Sequence, residues 1–356
     1  MALIDCEGFG FSSAYSDFTT YAGWTTFAGV PVILASGSPW GGNAVQIQSS
    51  HSCGKALPSA GATSLIVGLA VTVTSSGSNS YGALVFVDSA NNCQTAVTLN
   101  GANGQLVATA GMSSFAVDSN MTGGTILGSS HPGKFAAGTS FYLEAQIVIA
   151  AASGGSITIR VNGATVLSLA GVTTQGTANV GASYIGLKGP GNANPAYSHY
   201  SDIYVCDTSG SAPWNTFLGV QRVQSVNPTA NDAVQFTPTG QASNYLNAAE
   251  YPPVPGTDYN SSSTVGAQDT FTHGSVTNLS AVSGVVCKSL LFNPAANGET
   301  MANVLLSSTS SAQGATRTPG AGGLLYTDVM ETDPATSAAW TVAAAGACRN
   351  GYKLLT

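Results

Sequence analysis

Four histidines, His51, His131, His199 and His273, stand singly in the chain. None has the His-x-x-x-His or His-Glu-x-x-His spacing that brings two imidazoles to one helix face around a metal. They read as loop or surface histidines. Carboxylates come next, because glycoside hydrolysis needs two of them roughly 5–10 Å apart. On a strand, acidic residues at i and i+2 would supply that pair. Asp5 and Glu7 have this spacing at the N-terminus, in the expected first strand, and Glu331 and Asp333 run into an Asp333-Pro334 turn. Glu144 stands alone on its strand, and Asp202 is the other isolated carboxyl worth testing. No Gly-x-Ser-x-Gly elbow lies between a strand and a helix, which argues against a serine hydrolase. Calcium would be the favoured ion, but there is no Asp-x-Asp-x-Asp-Gly loop. No catalytic, cofactor-binding or metal-ligating residue is therefore assigned, no cofactor is expected, and the chain reads as non-enzymatic.

Aromatic side chains are the remaining candidates. Trp24, Trp40, Tyr197, Tyr200 and Trp214 lie among Asn, Gly and Ser. Such rings stack on sugars, so Trp24, Trp40 and Trp214 are the candidate glycan-binding residues. The competing reading is preferred: Trp24 and Trp40 plug a sandwich and Trp214 covers a domain junction, because buried aromatics dominate core energetics.

The elements that must position these residues are strands. Phe141, Leu143, Ala145, Ile147 and Ile149 alternate with Tyr142, Glu144 and Gln146, the period of a half-buried strand. Residues 156–161 and 164–169 flank Asn162-Gly163, a strong hairpin signal because both residues tolerate positive φ. Similar strands read at 64–74, 81–88, 94–99, 105–110, 184–188 and 200–207. Many short strands spaced by turns imply an antiparallel sandwich. A turn-rich stretch, 208–216, marks a boundary. Beyond it, 217–226 reads as a strand and 244–263 as a long loop, with strands returning at 281–292, 300–308 and 324–331. The expected organisation is a jelly-roll β-sandwich over 1–207, a linker over 208–220 and a smaller β-rich domain over 221–356.

Composition limits the function further. The chain of 356 residues has only 9 Lys/Arg and 16 Asp/Glu, 7% charged with a net charge of −7, where soluble domains average roughly 25%. Nine scattered basic residues cannot track a phosphate backbone, which excludes nucleic-acid binding. No apolar run is long enough for a membrane span. The N-terminus has neither the basic nor the apolar region of a signal peptide, so folding in a cytoplasm is expected. Cys6, Cys53, Cys93, Cys206, Cys287 and Cys348 are widely spaced and read mostly as buried small apolar residues. Cys6 and Cys206 would come together if the first and last strands of one domain paired. The surface must be largely Ser, Thr, Asn, Gln and Gly, which desolvate more cheaply than ions. Neighbouring subunits would cover such a surface readily.

Three motifs carry a family resemblance. The opening Ala2-Leu-Ile-Asp5-x-Glu7-Gly-Phe9-Gly resembles the Asp-Gly-Phe start of bacteriophage virion proteins with a laminin-G/concanavalin-like jelly roll. Ile159-Arg-Val-Asn162-Gly-Ala-Thr-Val-Leu167 is similar to the Val-Asn-Gly hairpin of that fold, and Ser201-Asp202-Ile-Tyr204-Val-Cys-Asp207 to its closing strand. Later segments, from Phe217-Leu-Gly-Val-Gln-Arg222-Val to Glu331-Thr-Asp-Pro334, resemble the second half of the same proteins. The acidic pair usual before the closing strand is Ser201-Asp202 here, a departure at any shared calcium contact. The resemblance implies a virion structural protein on the tail, fibre or capsid surface, assembled in the host cytoplasm. Its partners would be copies of itself, as a homo-oligomer, and other virion proteins. Host surface glycan is the alternative partner, and polysaccharide degradation a more distant reading.

Overall fold

The computed structural model describes residues 3–10, 14–21, 23–34, 36–49, 51–74, 80–112, 115, 123–190, 197–250 and 253–356. They form two compact units, one built mainly from Gly23–Val223 and the other mainly from Gln224–Thr356. No helix among the described residues is long and apolar enough to cross a membrane.

The first unit runs β1 (Leu3–Glu7), α1 (Tyr15–Tyr21), β2 (Trp24–Ala28), β3 (Val32–Leu34), β4 (Ala44–Gln48), β5 (Ser52–Ala56), β6 (Ser64–Val73) and β7 (Ser80–Val87). It continues through β8 (Cys93–Asn100), β9 (Gln105–Ala110), β10 (Thr125–Ser129), β11 (Ser140–Val148), β12 (Gly155–Val161), β13 (Ala164–Val172), β14 (Tyr184–Lys188) and β15 (Tyr197–Cys206). Two antiparallel sheets result. An eight-stranded sheet has the order β13-β12-β11-β6-β15-β4-β3, with β1 also paired to β15. A seven-stranded sheet has the order β10-β9-β8-β7-β14-β5-β2.

Alternation decides which side of the eight-stranded sheet faces the core. Phe141, Leu143, Ala145 and Ile147 on β11 stand opposite Val71, Leu69, Val67 and Leu65 on β6. All eight are buried, and each large one contributes about 1.5–3 kcal/mol on burial. The intervening residues of both strands point away from the core. The β12–β13 hairpin turns as its sequence requires, with Asn162 at φ 49° and Gly163 at φ 81°. Asn162 also accepts a 2.8 Å bond from the Tyr142 N–H through its side chain, which ties the turn to β11. The first and last strands pair, but the register sets Leu3 opposite Cys206 and Cys6 opposite Tyr204, so the two cysteines do not face each other.

In the second unit the elements are β16 (Pro228–Ala233), β17 (Thr237–Thr239), α2 (Asn244–Ala249), β18 (Tyr259–Ser261), β19 (Gln268–His273) and β20 (Val285–Leu291). They are followed by β21 (Met301–Ser307), β22 (Ser310–Gln313), β23 (Leu324–Met330), α3 (Val342–Ala347) and β24 (Arg349–Leu354). Five strands form a sheet in the order β16-β19-β24-β21-β22, and β17-β18 and β20-β23 form two-stranded pieces. Cys287, Leu305, Trp340 and Cys348 form one apolar cluster, and Phe236, Ala267 and Leu354 another. Buried Asp269 organises the polar interior: its Oδ1 accepts the N–H groups of Gln235 and Phe236, and its Oδ2 accepts the Asn244 amide.

The fold class is the expected one, an all-β sandwich followed by a smaller β-rich unit. Two local readings are corrected. Residues 217–226 form no strand; the Leu218, Gly219 and Val223 N–H groups bond to side chains of the eight-stranded sheet instead. Residues 244–263 are not one long loop but contain α2 and β18. The loop reading rested on Pro252, Pro253, Pro255 and three consecutive serines, but Asn244, Asn247 and Asn260 hold these elements through side-chain bonds to Asp269, the Tyr259 carbonyl and the Tyr352 hydroxyl.

Gly68 on β6 has no room for a side chain, because a methyl group there would overlap the ring of Tyr204. Gly68→Ala is expected to cost about 1–3 kcal/mol through overpacking, read as a lower urea midpoint with an unchanged slope.

Candidate functional site

The outer face of the eight-stranded sheet is divided between a covered half and an open half. In the covered half, Tyr204 on β15 and Glu144 on β11 both stand opposite Gly68 on the intervening β6. The missing side chain lets the Tyr204 ring reach across β6, and its hydroxyl donates a 2.6 Å bond to Glu144 Oε1. The same oxygen accepts the Gly219 N–H at 2.8 Å, and the Leu218 N–H donates to the Tyr204 hydroxyl at 3.2 Å. Asp202 accepts the Val223 N–H at 2.8 Å on one oxygen and the Ser38 and Ser201 hydroxyls on the other. Phe217 lies 4.2 Å from the Arg160 guanidinium. Residues 217–223 thus strap over this half. Burial, and then the neighbouring Glu144 carboxylate, push the Tyr204 phenol far above its ordinary pKa. Tyr142 is raised in the same direction, first by burial and then by Tyr204.

In the open half, register places one row of side chains across adjacent strands. Val32 pairs with Gln46, Gln46 with His199, His199 with Thr72, and Thr72 with Ser140. Directly opposed residues share a face, and the bonds agree: His199 Nε2 lies 3.1 Å from Gln46 Oε1, and the Thr72 and Ser140 hydroxyls are 2.7 Å apart. One step along the strands, Gln48 stands opposite Tyr197, also on the outer side. All of these residues are half-buried or exposed. Burial lowers the His199 pKa, so the ring is neutral near pH 7.

A wall rises beside this floor. The β3–β4 connection crosses the sheet face, anchored by the Ser38 hydroxyl on Asp202. It carries Trp40 over Tyr142, with ring centroids 5.8 Å apart, and leaves the indole 36% exposed. Arg222 donates to the Gly41 carbonyl at 3.4 Å. The open half therefore offers an aromatic ring, two amides, hydroxyls and a neutral imidazole on one rigid sheet.

The residues singled out from the sequence are distributed unevenly. Trp24 is 3% exposed against the Phe9 ring, and Trp214 is 8% exposed, so neither offers a stacking face. Trp40 does not plug the sandwich; it stands at the edge of the open floor. Tyr200 points into the core and bonds the Lys188 carbonyl, while Tyr197 lies on the outer face. Glu144 and Asp202, apart in sequence, share the covered half and bind the strap. His199, read as a surface residue, sits in the middle of the floor. Gln46, Gln48, Thr72 and Ser140 were not singled out. Their signal was present in the alternation of Val45 and Ile47 with Gln46 and Gln48, but a polar residue on a strand does not reveal what lies beside it.

No family model and no curated protein matches the chain. Solved structures do resemble it. An endo-β-1,4-glucuronan lyase from Trichoderma reesei has 13% identity and a TM-score of 0.40, over 57% of this chain and 95% of that one. The alginate lyase vAL-1 from Chlorella virus has 8% identity and a TM-score of 0.41, over 57% and 99%. The carbohydrate-binding module CBM66 from Bacillus subtilis has 12% identity and a TM-score of 0.35, over 51% and 93%. The likeness is one of fold: an antiparallel β-sandwich of the kind found in polysaccharide lyases and carbohydrate-binding modules. The expectation that the chain is not an enzyme is contradicted to this extent: several of the solved structures that resemble it are themselves polysaccharide lyases. None of the three is a phage virion structural protein.

The shift of His199 has a consequence for stability. The unfolded chain takes up a proton near pH 6.5 while the folded ring resists it, so the unfolded state binds more protons as pH falls. His273 in the second unit is lowered in the same way by burial. Stability is expected to be full above the ordinary histidine pKa and to decline as pH drops below it. His199→Gln should flatten part of that decline in urea midpoints measured between pH 5 and 7.5, and His273→Gln another part.

Proposed function

We propose that the chain binds a polysaccharide on the open half of the eight-stranded sheet. The observation that carries this reading is the row Gln46–His199–Thr72–Ser140 with Trp40 beside it. Sugar hydroxyls both donate and accept, and amide and hydroxyl side chains can answer either way. The apolar face of a sugar ring suits an exposed aromatic. Strands hold such groups more accurately than loops do. Trp40→Ala and Gln46→Ala are expected to weaken binding to a retained polysaccharide by tenfold or more, about 1.4 kcal/mol, in affinity electrophoresis. Ile126→Ser, an exposed change on the other sheet, should leave it unchanged. Equal binding by all variants would remove the site from this face.

A second reading, cleavage of the bound chain, is favoured by His199 and Tyr197. An imidazole neutral at neutral pH can accept a proton, and a phenol two residues away on the same face can donate one. Product release from a bound polysaccharide, lost by at least a hundredfold in His199→Ala and Tyr197→Phe, a larger loss than either variant's loss of binding, is the expected result. Absence of release from every polysaccharide that binds would end this reading.

The setting we propose is a phage particle, with the face serving host-surface recognition; its support is the three sequence motifs alone. Recovery of the chain in purified virions by mass spectrometry is the matching measurement.

A further inference from the structure

The open floor presents hydrogen-bonding groups without a fixed charge, and from this we infer that its ligand is an uncharged polysaccharide lying across the strands, to the exclusion of uronate-bearing chains. The inference rests on the polysaccharide-binding reading and narrows it. Gln46, Gln48, Thr72, Ser140, Tyr197 and Trp40 are uncharged, and His199 is neutral near pH 7.

Four of the five cations of the same unit, and its carboxylates on this sheet, are engaged elsewhere; the fifth, Lys134, is half-buried in the β10–β11 connection and stands on no strand of the floor. Glu144 and Asp202 lie on the same sheet but are buried and bonded to the strap. Arg160 lies against Phe217. Lys188 is 1% exposed and donates to the Phe115 carbonyl, and Lys55 lies 3.3 Å from Asp5; both belong to the other sheet. Arg222 reaches the Gly41 carbonyl, next to Trp40 in the wall, not the floor.

A carboxylate laid on this floor would lose hydration without meeting a cation, which costs far more than seating a hydroxyl on an amide. The chain's net charge of −7 adds a repulsive field for any polyanion. Register also sets the direction. Gln46, His199, Thr72 and Ser140 occupy four neighbouring strands, so the row spans about 14 Å at ~4.8 Å per strand. A single sugar ring meets only part of it, whereas a short oligosaccharide running perpendicular to the strands meets all of it.

The test uses the full chain with matched polymers: polygalacturonate and alginate, the same two after carboxyl reduction, and a panel of neutral glucans, mannans and fructans. Binding to at least one neutral or reduced polymer is expected, at least tenfold tighter than to any uronate. It should be little changed between 0.05 and 0.5 M salt by roughly the screening argument for uncharged ligands, and weakened in Trp40→Ala and Gln46→Ala. Affinity should rise from monosaccharide to oligosaccharide of the preferred sugar. Trp40-dependent binding that favours the uronates and falls with salt would overturn the inference and keep the polysaccharide reading. Failure of every polymer to bind would overturn both.

Discussion

Much of the first unit's outer surface follows from Tyr204 lying flat across Gly68 to meet Glu144. A carboxyl group buried on a sheet needs hydrogen-bond donors, and β6 leaves the path to one open by having no side chain at that point. The arrangement then demands a cover, because a phenol and a carboxyl side by side on an open sheet would be solvated separately. Residues 217–223 provide it. Their own backbone N–H groups have no sheet partner, and a buried donor must be paired. Glu144, Tyr204 and Asp202 accept three of them. The strap's donors and the sheet's acceptors thus meet at Glu144 Oε1, the Tyr204 hydroxyl and Asp202 Oδ1.

The strap ends where the charged residues end. Past it the sheet face carries amides, hydroxyls, Tyr197 and His199, and the β3–β4 connection, anchored on Asp202, holds Trp40 above their margin. Asp202 therefore serves two segments at once, the strap through Val223 and the wall through Ser38. The low charge of the chain takes on a local meaning here. A surface of Ser, Thr, Asn and Gln suggests cover by neighbouring subunits when read as composition; on this face the same chemistry matches the hydroxyls of a sugar.

The second unit shows the same economy of charge. Asp269 is buried at 0% exposure and receives two backbone N–H groups and an amide. Asp328 likewise accepts Asn303, Arg317 and the Ala315 N–H. In both units carboxylates are placed inside, as organisers of irregular backbone, and few are left for the surface.

The strands, their faces and the Asn162-Gly163 hairpin were legible in the sequence, because period-2 alternation and positive-φ turn residues are local properties that neighbours only reinforce. The β1–β15 pairing entered only as a condition on Cys6 meeting Cys206, and the register that sets Cys6 opposite Tyr204 instead was not legible. The path of residues 217–226 was not. Its apolar alternation resembles a strand, and only the three side chains waiting on the sheet draw its N–H groups away from strand pairing. The Pro- and Ser-containing segment 244–263 misled in the opposite direction, since side-chain bonds to Asp269 and Tyr352 outweigh loop-like composition. The site itself belongs to tertiary structure. Gln46, Thr72, Ser140 and His199 come from four strands separated by up to 153 residues, and only register makes them neighbours. Composition determined that the exposed polar groups would be uncharged; which of them face one another was decided by how β15 inserts between β4 and β6, because strand pairing is a long-range choice that no local pattern encodes.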